Sequence, residues 1–176
     1  MTNEGGRSEH IKMTFCELEK LGITYFSYGI MAHGNVLNVV FSNEEWGNRY
    51  KEMHYERTDP LVQGVTQSNL PLIIWDALNP FGKGRKVMME RNEMCGLKSG
   101  LTVGIKNNEI TEIMALGSQI SPHEFYSLLN EEKYIKDIHR IVKKFYILHK
   151  EELQKNIDAN ALSLKEQYTL RSNTLL

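Results

Sequence analysis

The chain has little that would serve metal or covalent chemistry. It holds two cysteines, Cys16 and Cys95, far apart in the sequence, which points to free thiols rather than a disulfide-stapled scaffold. The six histidines are scattered, none paired with a Cys or another His at ligand spacing, so no metal site is expected. His54 lies near Asp59, but no serine or cysteine nucleophile motif accompanies it. No catalytic residue, no enzyme activity and no cofactor is therefore expected. The opening MTNEGGRSEH has no apolar h-region, and no run of about 18 apolar residues occurs, so neither a signal peptide nor a membrane-spanning helix is expected. A cytoplasmic location is expected. Lys plus Arg number 21 against 22 acidic residues, a net charge of -1, which excludes the general basicity of a nucleic-acid-binding chain.

What remains is an ordinary globular composition, 41% hydrophobic and 24% charged over 176 residues, enough for one domain with a core. Ile11, Phe15, Leu18 and Leu21 predict a helix stopped by Gly22. The aromatic stretch 23–31, a turn at His33-Gly34-Asn35 and the stretch 36–41 predict a β-hairpin. Ser42 and Glu45 form a capping box for a helix reaching about His54, with Trp46, Tyr50 and Met53 on one face. Pro60 opens a short helix. Residues 70–75 read as a short buried strand, and a helix carrying Val87, Met88 and Met94 ends at Gly96. A second hairpin joins 101–105 to 109–118. Ser121-Pro122 caps a long final helix to about residue 150, with Phe125, Leu128, Ile135, Ile138, Ile141 and Phe145 on its apolar side. The order gives an α+β fold, an α-β-α sandwich with a central antiparallel sheet of about five strands flanked by helices. The predicted organisation is a domain over 1–150, a polar linker over 151–161 and a further short segment over 162–176.

The informative stretch lies between Trp46 and Trp75. It sets both tryptophans, Tyr50 and the pair Asp59-Pro60 close together, one carboxylate among aromatic and aliphatic side chains. This suits a closed pocket for a small amphipathic ligand. Each member also has a plain reading. Trp46 and Tyr50 at i, i+4 are core. Asp59 before Pro60 is a helix cap, Trp75 is a core aromatic at a strand end, and Gly100 answers a backbone need.

Four elements in order, Trp46-x3-Tyr50, Asp59-Pro60, Trp75-Asp76 and Gly96-Leu97-Lys98-Ser99-Gly100-Leu101-Thr102, resemble the autoinducer-binding domain of LuxR-type quorum-sensing regulators. The resemblance covers about residues 15–150. It implies an intracellular receptor for an N-acyl-homoserine lactone, with Asp59 accepting from the ligand amide and Trp46 donating to the lactone carbonyl. Tyr50 would line the acyl chain and Trp75 close over the ring. Thr102 and the inward positions Ile113, Ala115 and Gly117 would face the ligand, and Ser27, Gly29 and Met31 would set the room for its tail. The family's upstream tyrosine is replaced by Ser42, with Tyr28 or Tyr55 as substitutes. The resemblance further implies a domain that is poorly folded without ligand and that dimerises, with itself or with a full-length relative, through the helix 122–150. LSLKEQYTLR (162–171) resembles the start of the family's helix-turn-helix domain, whose recognition helix does not follow. The expected role is then a receptor that does not bind DNA, acting as a dominant-negative partner or ligand sink. The competing expectation is a sensor of the same fold that binds a different small molecule, or none.

Overall fold

The alternation of large and small side chains through residues 25–32 sends one set to each face of a strand, and both faces are covered. The computed structural model describes residues 9–32, 35–68, 70–107 and 110–151. Its elements are α1 (Glu9–Glu19), β1 (Tyr25–Ala32), β2 (Asn35–Phe41), α2 (Glu44–Glu52), α3 (Pro60–Thr66), β3 (Leu72–Ile74), α4 (Gly82–Cys95), β4 (Ser99–Asn107), β5 (Ile110–Ser118) and α5 (Pro122–Leu128). A further helix, α6, spans 132–151. The sheet is antiparallel in the order β2-β1-β5-β4-β3. The fold is the expected α+β sandwich. The expected linker and terminal segment lie outside the described residues, apart from Glu151.

Two apolar layers hold it together. On one face Tyr25, Phe41, Trp46, Tyr50, Leu61, Val65, Trp75 and Val87 join α2, α3 and α4 to the sheet. On the other, Phe26, Tyr28, Ile30, Leu101 and Leu116 meet Leu18, Phe125, Ile138, Ile141 and Phe145 from α1, α5 and α6. Glu112 fastens this second layer. Its carboxylate accepts from the hydroxyls of Tyr28 (2.5 Å) and Tyr146 (3.2 Å) and pairs with Lys150 at 3.0 Å.

Three local expectations need correction. The helix expected over 122–150 is two helices, broken at 129–131. Asn130 turns its side-chain amide back onto the Tyr126 carbonyl (3.2 Å), the local bonding by which Asn competes with a continuing helix. The apolar side of α6 packs on its own sheet, and Ile135 and Ile147 face outward. The cap of α2 is Asn43, which accepts from the Trp46 N–H at 2.8 Å. Ser42 is taken by strand pairing, its hydroxyl accepting from the Phe26 N–H at 2.9 Å. Finally, β3 is an edge strand in which Ile73 alone is buried.

Candidate ligand-binding site

The pleat places Ser27, Gly29 and Met31 of β1 on one face beside Ile113 and Ala115 of β5. The register pairs Ser27 with Ala115 and Gly29 with Ile113. On β2, Phe41 and Val39 continue these two rows. Above this floor, α2, α3 and α4 leave a cavity of about 350 Å³. Tyr50, Leu61, Val62, Asp59 and Arg91 close it from the helical side. Lys51 and His54 also line it and are exposed, so the cavity meets solvent there. His54 turns the chain between α2 and the next turn in the left-handed region, at φ 51°.

Between that polar mouth and its inner end the wall is largely apolar. Asp59 is 2% exposed. It caps α3, its Oδ1 accepting from the Leu61 N–H at 3.0 Å, while Oδ2 accepts from the Tyr50 hydroxyl at 3.0 Å. Both the cap reading and the pocket reading of Asp59 therefore describe the same side chain. The Arg91 guanidinium donates to the same Oδ2 through Nη2, and it is equally buried. Its carbon lies 5.4 Å from the Trp46 ring centre and 5.5 Å from that of Trp75, within cation–π reach of both. Burial works against its charge, but Asp59 together with the Tyr25 and Tyr50 hydroxyls more than offsets this and holds the Arg91 pKa above its ordinary value. Burial, reinforced by the Asp59 charge, raises the Tyr50 phenol well above its usual range. Burial also pushes the Cys95 thiol up to about 11, so it is a neutral thiol at neutral pH, not a nucleophile.

The structure brings Tyr50, Asp59, Gly29 and Ala115 together on the cavity wall. Trp46, Trp75, Thr102 and Ser42 stand outside that lining. Trp46 is fully buried behind Tyr50 and stacks on Tyr55, and its indole N–H has no hydrogen-bond partner among the described residues. Trp75 donates its indole N–H to Thr102 Oγ1 at 2.9 Å, so these two satisfy each other. Gly117 sits beneath Leu97 and Trp75. Tyr28 belongs to the opposite face, on Glu112, and Tyr55 bonds Glu90 at 2.6 Å.

Arg91 escaped the sequence reading. Its signal was its spacing, since it follows Val87 and Met88 by four and three residues and so falls on the buried face of α4. Among the described residues no group of three or more His, Cys, Asp or Glu is placed to hold a metal ion, and no helix is long and apolar enough to cross a membrane.

A sandwich with one apolar, half-open cavity ending in a carboxylate defines a small-molecule receptor domain. Residues 7–119 match the family model of the autoinducer binding domain, and the chain belongs to that family, the sensing module of LuxR-type regulators. Such domains are receptors rather than enzymes. Among solved structures it is similar to CepR2 of Burkholderia cenocepacia, an N-acylhomoserine lactone-dependent LuxR-family transcriptional factor. That likeness has TM-score 0.57 and 16% identity, and it covers 84% of this chain and 85% of that one. Escherichia coli SdiA is similar at TM-score 0.50 and 14% identity, over 82% of this chain and 64% of SdiA. A structure of SdiA with octanoyl-rac-glycerol matches at TM-score 0.50 and 16% identity, over 80% of this chain and 59% of that one. The chain thus spans less than two-thirds of SdiA. No curated protein matches it in sequence.

Proposed function

We propose that this domain is the receptor for an N-acyl-homoserine lactone, in the cytoplasm, with the acyl chain on the β1–β5 floor and the head group at the Asp59 end. The observation that carries the reading is the apolar cavity that ends at the buried Asp59 carboxylate, with the unpartnered indole N–H of Trp46 in the layer packed against Tyr50 and Arg91 of its wall. A buried donor without an acceptor costs about 1–3 kcal/mol, and a lactone carbonyl that reaches it past Tyr50 relieves that cost. Asp59 keeps a free lone-pair position for the ligand amide. Binding to the folded state alone raises stability by about 2.7 kcal/mol at a ligand concentration a hundredfold above Kd. The test is the melting temperature of the full chain with homoserine lactones of increasing acyl length. At least one is expected to raise it by several degrees, and a flat response across the series would sink the reading. Trp46→Phe is expected to weaken the best lactone about threefold to tenfold, the worth of one hydrogen bond, measured by calorimetric titration.

Gly29 offers a size test. A Cβ there finds its nearest neighbours at 3.8 Å, ordinary contact, so a larger side chain is accommodated at the expense of the cavity. Gly29→Val is expected to leave stability unchanged or up to about 1 kcal/mol higher, because glycine is costly within a strand. If two methylenes lose their place, affinity for the longest bound lactone falls about tenfold. The preferred chain length in the melting series then shortens.

A further inference from the structure

The hydrogen-bond inventory at the head-group end is lopsided. A carboxylate has about four lone-pair positions, and Asp59 already accepts from Leu61, Tyr50 and Arg91. Its charge is matched by a guanidinium of equal burial. Donors, by contrast, are in surplus. On the cavity wall the Nε–H of Arg91 is buried without an acceptor among the described residues, as is the indole N–H of Trp46 in the layer behind it; the Tyr25 hydroxyl, able to donate as well as accept, is likewise unpartnered, and Arg91 Nη1 has the Met88 sulfur, at 3.0 Å.

A site in this condition asks for oxygen atoms on its ligand, and a ligand N–H is not needed to satisfy the carboxylate. It also asks for neutrality, since the Asp59–Arg91 pair is balanced and an anionic head group would add an uncompensated buried charge. Resting on the receptor reading above, we infer that Arg91 is a specificity-determining residue that takes the place of the ligand amide at Asp59, so that the cavity accepts neutral acyl esters as well as acyl amides. The contrast is with a site whose buried acceptor depends on the ligand, which rejects an analogue lacking the donor by about 10⁴-fold or more. Here the N–H adds one ordinary hydrogen bond to a carboxylate that is already served.

The experiment compares N-octanoyl homoserine lactone with its ester isostere, in which oxygen replaces the amide N–H, by calorimetric titration of the full chain. The two dissociation constants are expected to lie within about tenfold. A larger preference for the amide overturns the inference while leaving the receptor reading intact. Failure of both to bind, together with a flat melting response across the lactone series, removes the receptor reading, and the inference with it. Octanoate is expected to bind at least about tenfold more weakly than either, and equal or tighter binding of octanoate overturns the neutrality argument. In Arg91→Gln the carboxylate loses its cation, and the amide-to-ester preference is expected to widen beyond about tenfold; an unchanged preference shows that Arg91 is not the determinant. If Arg91→Gln does not fold, Arg91→Lys keeps a cationic donor at Asp59. Its preference is expected to stay within about tenfold, and a wider one overturns the role given to the guanidinium.

Discussion

Replacing Arg91 by methionine is expected to destabilise the unliganded domain by about 3–5 kcal/mol, because it leaves the Asp59 carboxylate buried without a counter-charge. Asp59→Asn is the complementary change. It keeps a good helix cap for α3 and an acceptor for the Tyr50 hydroxyl, but strands the guanidinium between the two indoles. The double variant Asp59→Asn with Arg91→Met removes both charges while retaining cap and volume. Its loss is expected to fall short of the sum of the single losses by about 2–3 kcal/mol. Urea unfolding followed by circular dichroism gives all four corners of this cycle. Additive losses would show that the two side chains are neighbours without being partners. The pair also bears on the expectation that such a domain is poorly folded without ligand. The carboxylate that would have been exposed to that penalty is already neutralised from within the chain.

A methyl group at Gly100 is expected to cost about 2–3 kcal/mol or more, the upper range for overpacking a core. An added Cβ there would stand 2.5 Å from two ring carbons of Trp75 and 2.8 Å from the Leu116 carbonyl oxygen. The ring is also held by the bond to Thr102 and by the Arg91 guanidinium, and the carbonyl belongs to the sheet. Gly100 pairs across the sheet with Gly117, and the two together make the flat shelf on which the indole lies. Gly100→Ala is therefore expected to unfold at lower urea, with the tryptophan emission of the native state shifted. Gly29→Ala, on a strand of the same sheet with 3.8 Å of clearance, is the control and should fold normally. Equal stability of the two variants would overturn the shelf argument.

Much of this was legible in the sequence because it rests on short-range periodicity. The alternation Ser27, Gly29, Met31 predicted a single strand face, and all three line the cavity. The spacing of Trp46 and Tyr50 placed them on one side of α2, and both are buried. What was not legible depended on partners remote in the chain. Arg91 reads as a surface charge until Asp59, 32 residues earlier, is folded beside it. The Ser42 hydroxyl suits a helix cap equally well, and only the pairing of β1 with β2 assigns it elsewhere. Trp75 and Thr102 were each expected to face the ligand, but they are mutually satisfied, a contact between β4 and the turn after β3 that no local pattern encodes. The break at Asn130 was a choice between two competing bonds for one amide, and apolar periodicity on either side is silent about it.

Strand β5 is a party wall. Ile113 and Ala115 look into the cavity, while their neighbour Glu112 looks the other way and holds Tyr146 and Lys150 of the outer helix. Odd and even residues of one strand are thus spoken for by different tenants, separated by a single thickness of backbone. Whatever fills the cavity and whatever leans on the far helix press against the same nine residues.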